Sequence, residues 1–188
     1  FNQAAVDAYK TAVSFRRDFV DAYYNMGVAY GRLEEDGVDT LENALGALKQ
    51  SLRLDPEFIH GYIALSAAYI RKKEYEKALD ILTRAIEIDS KNPDVHYYIG
   101  ITCRARKDYE KAATSLHKSV SLKPDSLQTQ YYLGLVLIDC ERFQEACDAF
   151  NEAIRIKPDF AEGHYMLGYL YLKKLFDMEK GAHHLNKA

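Results

Sequence analysis

The residues able to act as nucleophiles, bases or metal ligands are few and scattered. Nucleophilic catalysis needs a serine or cysteine held near a base, yet Cys103 falls in a periodic apolar position and Cys140 and Cys147 stand in no local signature. Three cysteines without a CxxC spacing fit free thiols in a reducing compartment, and a free cysteine behaves as a small buried hydrophobe. His60, His96, His117 and His164 lie far apart, with no cysteine or carboxylate at ligand spacing. His183 and His184 are adjacent on one helix, where neighbouring side chains diverge by about 100° and cannot share a metal. The acidic run Glu34-Glu35-Asp36-Gly37-Val38-Asp39 invites a calcium reading. Aligning Gly37 with the sixth loop position, however, puts Arg32 at the first and Asn43 at the twelfth, where carboxylates are required. No GxxxxGK[ST] or HExxH occurs, and no GxGxxG follows a strand. These residues predict no enzymatic activity, no cofactor and no metal.

Composition narrows the classes further. The 188 residues are 48% hydrophobic and 12% aromatic, enough to build a core, so disorder is not expected. With 25 Lys+Arg against 28 Asp+Glu, dispersed along the chain, nothing favours nucleic acid or an anionic membrane as partner. There is no run of about 18 apolar residues to insert into a bilayer. A soluble, cytoplasmic protein is the expectation, with an upstream signal segment left open because the chain begins at Phe1.

Any site must be positioned by what repeats. Pro56, Ser90, Pro124 and Pro158 recur at intervals of 34 residues, a period that points to a solenoid. Counting the periodic proline as position 32 gives units at 20–58, 59–92, 93–126 and 127–160, a truncated unit at 161–188, and residues 1–19 as the second helix of a preceding unit. Position 8 reads Gly27, Ser66, Gly100, Gly134, Gly168, and position 20 reads Ala44, Ala78, Ala112, Ala146, then Gly181 after a one-residue insertion. Position 27 is Ser51, Ala85, Ser119, Ala153, Ala188. Between these small columns run large ones, such as Leu48, Leu82, Leu116, Phe150 and Leu185 at position 24. Positions 4, 7, 8 and 11 form one helical stripe and 20, 24 and 27 another, so each unit is two amphipathic helices packed face to face. Glycine is about 1 kcal/mol worse than alanine inside a helix, so its recurrence at position 8 marks a close approach.

The pattern resembles the tetratricopeptide repeat: a large residue at 4, Leu at 7, Gly at 8, Tyr at 11, Ala at 20, Phe or Leu at 24, Ala at 27 and Pro at 32. The resemblance implies an all-α fold, a tetratricopeptide-type α-solenoid of antiparallel helix pairs in a right-handed superhelix, with the first helix of each pair lining a concave surface. One departure stands out: Tyr30 to Ala44 spans 14 positions where the other full units have 9. Glu34, Glu35, Asp36, Gly37 and Val38 are therefore assigned to a lengthened turn, with Asp39 and Glu42 as a capping box. The basic clusters Arg71-Lys72-Lys73, Arg104/Arg106/Lys107 and Lys173-Lys174 end first helices, where cations complement the helix dipole.

In such an array positions 2, 5, 9 and 12 of each first helix face the groove. Position 5 is Tyr24, Ile63, Tyr97, Tyr131 and Tyr165; position 9 includes Val28, Ile101, Leu135 and Tyr169; position 12 includes Arg104. These lie off the intra-pair core stripe, and tyrosine has the wide contact area and polar tip of a binding anchor. Tyr at position 5 also belongs to the family pattern, so packing between units competes with this reading. The family's carboxylate-clamp lysines and asparagines are missing here, and of an asparagine ladder at position 6 only Asn25 is present. The expectation is a protein-interaction adaptor or scaffold that takes a protein partner, as a helix or apolar peptide segment, in an aromatic groove. Two alternatives stand beside it: a scaffold that self-associates through the ends of the array, and a targeting region of a larger enzyme.

Overall fold

The two apolar stripes of each period become the contact faces of paired helices. The computed structural model describes residues 2–35 and 40–188, and among these there are α-helices and no strand. In chain order they are α1 (Asn2–Phe15), α2 (Val20–Glu35), α3 (Leu41–Leu54), α4 (Ile59–Arg71), α5 (Tyr75–Ile88), α6 (Pro93–Ala105), α7 (Tyr109–Leu122), α8 (Leu127–Asp139), α9 (Phe143–Ile156), α10 (Ala161–Lys173) and α11 (Met178–Leu185). They gather into two compact units, Phe1–Lys91 and Asn92–Ala188.

In the first unit α1 packs on α2, α2 pairs with α3, α3 carries α4, and α4 pairs with α5. Val6, Met26, Tyr30 and Ala44 share one buried cluster, while Leu45, Leu48, Leu65, Tyr69 and Ala78 share the next. In the second unit the pairs are α6–α7, α8–α9 and α10–α11, joined through α7–α8 and α9–α10. Leu116, Leu137, Phe150 and Leu167 fill the spaces between them and are fully buried. The glycine column explains how the pairs close so tightly. A Cβ on Gly27 would stand 2.6 Å from Leu48 Cγ, and one on Gly134 would stand 2.6 Å from two carbons of the Phe150 ring. Hydrogen is the only side chain that leaves room for the larger residue opposite.

The turn inside each pair is sharp and repeated. Lys73, Lys107 and Glu141 each adopt a left-handed backbone, with φ of 61°, 66° and 59°. The amide of that residue and the one after it close the helix end: Lys73 N donates to the Ile70 carbonyl and Glu74 N to the Tyr69 carbonyl, both at 2.9 Å, and the other two turns repeat the bonds. This is the Schellman ending, built here with side-chain-bearing residues at about 1–2 kcal/mol of local strain each. The last pair, with one residue more in its turn, has Phe176 at φ 56° and closes differently, Asp177 N donating to the Tyr171 carbonyl at 2.8 Å.

Two expectations are corrected. α2 continues to Glu35, so Glu34 and Glu35 belong to the helix and not to the lengthened turn; Asp36, Gly37, Val38 and Asp39 lie outside the described residues. α3 is preceded by Thr40, whose hydroxyl makes no cap bond to the helix and donates instead to the Tyr30 carbonyl at 2.6 Å. At the far end α11 stops at Leu185, so Ala188 is not part of the packed helix as the column at position 27 implied.

Candidate partner-binding surface

The thiols sit where nucleophilic chemistry is hardest. Cys103 and Cys147 are buried; burial pushes the Cys147 thiol up to about 11 and raises that of Cys140 as well. Reactive cysteine chemistry runs through the thiolate, and Cys140 and Cys147 hold their protons at neutral pH. Among the described residues no three His, Cys, Asp or Glu side chains converge as metal ligands.

One histidine contact was not legible in the spacing. His164, only 3% exposed, lies on α10 with its Nδ1 3.1 Å from Nδ1 of His184 on α11 and its Nε2 3.1 Å from the Pro158 carbonyl. A carbonyl oxygen only accepts, so His164 carries its proton on Nε2 and His184 donates from Nδ1. The His184 ring also stacks on Tyr171 at 17°. Burial, then the neighbouring His164, His183 and Lys187, hold His184 below the ordinary histidine value. The unfolded chain takes up that proton near pH 6.5 while the folded one resists it. Stability of the α10–α11 pair is therefore intact above about pH 6.5 and falls as pH drops toward the folded value. Urea midpoints at pH 7.5 and 5.5 will show this loss in wild type, and His184→Gln will reduce the difference, leaving the part owed to His117, which burial also holds below the ordinary histidine value.

The first helices place the groove residues as follows. In the first unit Tyr24 and Val28 on α2 and Ile63 on α4 are half-buried. In the second unit Ile101 and Arg104 on α6, and Tyr131 and Leu135 on α8, are half-buried, whereas Tyr165 and Tyr169 on α10 are 56% and 38% exposed. Tyr97 departs from expectation: it is 5% exposed, its ring met edge-on by Tyr98 at 5.2 Å and Tyr132 at 5.5 Å. It is a packing residue. Tyr131 continues this row, touching Tyr132, Phe150 and Phe160. Burial raises the phenol pKa of Tyr97 and of Tyr131, so both remain protonated donors at neutral pH. Tyr98 and Tyr132, at position 6, were outside the predicted groove set although they complete the row.

Charge crosses the same face. The Arg104 Nε donates to the Asp139 carboxylate at 2.6 Å, tying α6 to α8 with each side chain about a third exposed or less. Ile101, Arg104, Tyr109, Tyr132 and Asp139 line a pocket of about 270 Å³ beside it. The pocket has an apolar wall, a tyrosine ring and an ion pair, enough to seat one side chain of a bound peptide. In the first unit Arg71 takes a comparable place, donating to the Gly31 carbonyl at 2.7 Å. The basic helix ends thus do more than offset dipoles: Lys72 also pairs with Glu42 and Glu74.

Helical hairpins stacked through small-residue columns, each first helix keeping apolar side chains off its own core, define a repeat scaffold with an open helix face. Models of the TPR repeat match residues 2–34 and 134–174, and of the tetratricopeptide repeat residues 39–99. The chain belongs to the tetratricopeptide-repeat family, whose members bind protein partners. Its fold is similar to that of YrrB, described as a TPR protein with an unusual peptide-binding site (TM-score 0.69, 23% identity, 97% of this chain and 91% of that one). It is also similar to MamA from Desulfovibrio magneticus RS-1 (TM-score 0.75, 21% identity, 89% and 92%). Among curated proteins it is 34% identical over 59 residues to Protein bimA of Emericella nidulans, covering 31% of this chain and 7% of that protein. It is 30% identical over 90 residues to Hsp70-Hsp90 organizing protein 3 of Arabidopsis thaliana, covering 48% and 15%. The matched segments thus span less than a fifth of these relatives. No helix among the described residues is long and apolar enough to cross a membrane.

Proposed function

We propose that this chain is an adaptor that docks a partner helix or apolar peptide segment on the first-helix face of its second unit, with Ile101, Arg104, Tyr131, Leu135, Tyr165 and Tyr169 in contact. The observation that carries the reading is that Ile101, Leu135, Tyr165 and Tyr169, all off the core stripe of their helices, keep part of their apolar surface exposed. A helix serving only its core places polar residues there. The pocket beside the Arg104–Asp139 pair adds a recess for an anchoring side chain, the arrangement that concentrates binding energy in a few buried contacts. Tyr24, Val28 and Ile63 repeat the register in the first unit and form a second contact strip of the same character. The peptide-binding site named for YrrB and the organizing role named for the Arabidopsis relative are in keeping with this use of the scaffold. The chain acts by binding and not by catalysis.

Ile101→Asp/Leu135→Asp tests the reading. Placing two carboxylates on the apolar strip is expected to weaken partner capture by at least about tenfold, the size of one lost hot spot, in crosslinking from source-cell extract followed by mass spectrometry. Circular dichroism will show the helices unchanged. Equal capture by the variant and the wild type would remove this face from consideration.

A further inference from the structure

Three first helices, α4, α8 and α10, donate from position 4 to the carbonyl of the periodic proline that precedes them. Tyr62 donates its hydroxyl to the Pro56 carbonyl at 2.9 Å. Gln130 donates from Nε2 to the Pro124 carbonyl at 3.2 Å, and His164 from Nε2 to the Pro158 carbonyl at 3.1 Å. Gln130 and His164 each keep a second polar atom, and the two atoms differ in their company. Nδ1 of His164 accepts from His184 at 3.1 Å. Gln130 is only 5% exposed, yet its Oε1 accepts no hydrogen bond among the described residues. A nearly buried amide oxygen without a donor carries a cost that a ligand can relieve.

What reaches His164 is a ring that the preceding pair lacks. His184 holds position 23 on α11, where α9 has Ala149, and Tyr171 holds position 11 on α10, where α8 has Leu137. Those two rings stack at 17°. Beside α8 the smaller residues leave a recess of about 320 Å³ between α7 and α9, lined by Val120, Gln130, Leu133, Leu137 and Ala149. It has room for one long side chain. The pairs on either side, α6–α7 and α10–α11, are in place, so the opening is interior to the unit. Glu145, Asp148 and Glu152 share one face of α9 and make that wall of the recess acidic. Arg142 holds Glu145 through bonds of 2.7 and 2.6 Å, and Arg155 holds Glu152 at 2.6 Å. Asp148, exposed between them, has no ion pair among the described residues.

An occupant must bring a donor to Gln130, positive charge to Asp148 and an apolar stem to Val120, Leu133 and Leu137. Arginine has all three: a planar fork of N–H donors, a permanent charge, and a methylene stem that packs on apolar surface. Lysine has the charge without the fork. His184 is the chain's own precedent for a planar N–H donor at this place. Free arginine also carries a carboxylate, which the acidic wall repels, whereas an arginine within a polypeptide does not. We infer that this recess, apart from the first-helix face, receives an arginine side chain of a partner polypeptide, whose guanidinium donates to Gln130 Oε1 and to the Asp148 carboxylate.

The probe is a capped pentapeptide of one arginine flanked by two alanines on each side. It is titrated into the isotope-labelled whole chain and read from NMR shifts of the Gln130 side-chain amide and the α7–α9 backbone. Saturable shifts are expected, with affinity lowered about tenfold by citrulline in place of arginine, which removes the charge, and about threefold by lysine. Asp148→Asn is expected to lower it about threefold, the scale of one exposed ion pair. Ala149→His, which gives α9 the ring that α11 carries, is expected to abolish binding by occupying the recess, with the helices checked by circular dichroism. Should Ala149→His lose its helices, Asp148→Asn, on an exposed side chain, decides alone. Absence of saturable shifts overturns the inference, as does equal binding of the citrulline peptide or binding unchanged in either folded variant. Free arginine binding as tightly as the peptide overturns it by naming the amino acid as occupant. Gln130 shifts that move with chain concentration alone overturn it by naming a second copy. Ile101→Asp/Leu135→Asp, which tests the first-helix face, is expected to leave this titration unchanged, so the two readings stand or fall separately; loss of binding in that variant would move the arginine to the first-helix face and overturn the assignment to the recess.

Discussion

Replacing Phe150 by alanine is expected to lower the stability of the second unit by about 3–5 kcal/mol, the range for emptying a buried aromatic site. Phe150 is fully buried on α9, fills the space left open by Gly134 on α8, and touches the Tyr131 ring at 5.8 Å. Alanine leaves a cavity that a helical pair cannot close, because Gly134 offers no atoms to fill it. It also removes the support beneath Tyr131, which then loses one of its three aromatic neighbours. In a repeat array stability is held in each unit and its interfaces, so the loss should concentrate in α8 and α9. Thermal unfolding should shift down by about 10 °C, taking 2–4 °C per kcal/mol for a chain of this size, and hydrogen exchange should localise the opening. Phe150→Leu, the residue type at this position in four other pairs, should cost less than half as much.

Gly134→Ala is the complementary experiment, adding one carbon where Phe150→Ala removes a ring. The new Cβ would stand 2.6 Å from two carbons of the Phe150 ring, closer than real contacts permit, so α8 and α9 must part or the ring must leave its rotamer. Overpacking of this kind amounts to about 1–3 kcal/mol, and alanine returns up to about 1 kcal/mol through helix propensity. A net loss of about 1–2 kcal/mol is expected. Gly46, in the middle of α3, is the control: a Cβ there meets nothing within 4 Å. Gly46→Ala should therefore raise stability by up to about 1 kcal/mol. Opposite signs for one chemical change, read from urea midpoints, would establish that the glycine column is a packing device. A gain for both would show that the pair has slack at Gly134.

The helix pairing these two experiments probe is legible in the amino-acid sequence. Gly134 and Phe150 belong to the two stripes that the periodicity sets face to face, and the structure adds that the glycine stands opposite the ring. The turn between α2 and α3 was read less well: excess length was recognised, but Glu34 and Glu35 were assigned to the turn while the backbone keeps them helical. Charge and acidity at a helix end do not by themselves say where the last backbone hydrogen bond falls.

The candidate surface divided differently. Position 5 gave five residues of similar standing, and the structure separates them: Tyr97 is buried beneath Tyr98 and Tyr132, Tyr131 is partly covered by Phe160, and Tyr165 lies open. His164 and His184, 20 residues apart in sequence, meet at 3.1 Å although neither had a partner in the spacing. What the amino-acid order determined alone is everything set by local period: the helices, their pairing, and the small columns that let them approach. Those follow from side chains three and four residues apart, which share a helix face wherever the helix goes. What tertiary structure decided is the solvent exposure of each tyrosine and the company of each histidine. Those depend on side chains a whole repeat or a whole helix away, whose rings reach one another only after the pairs have stacked.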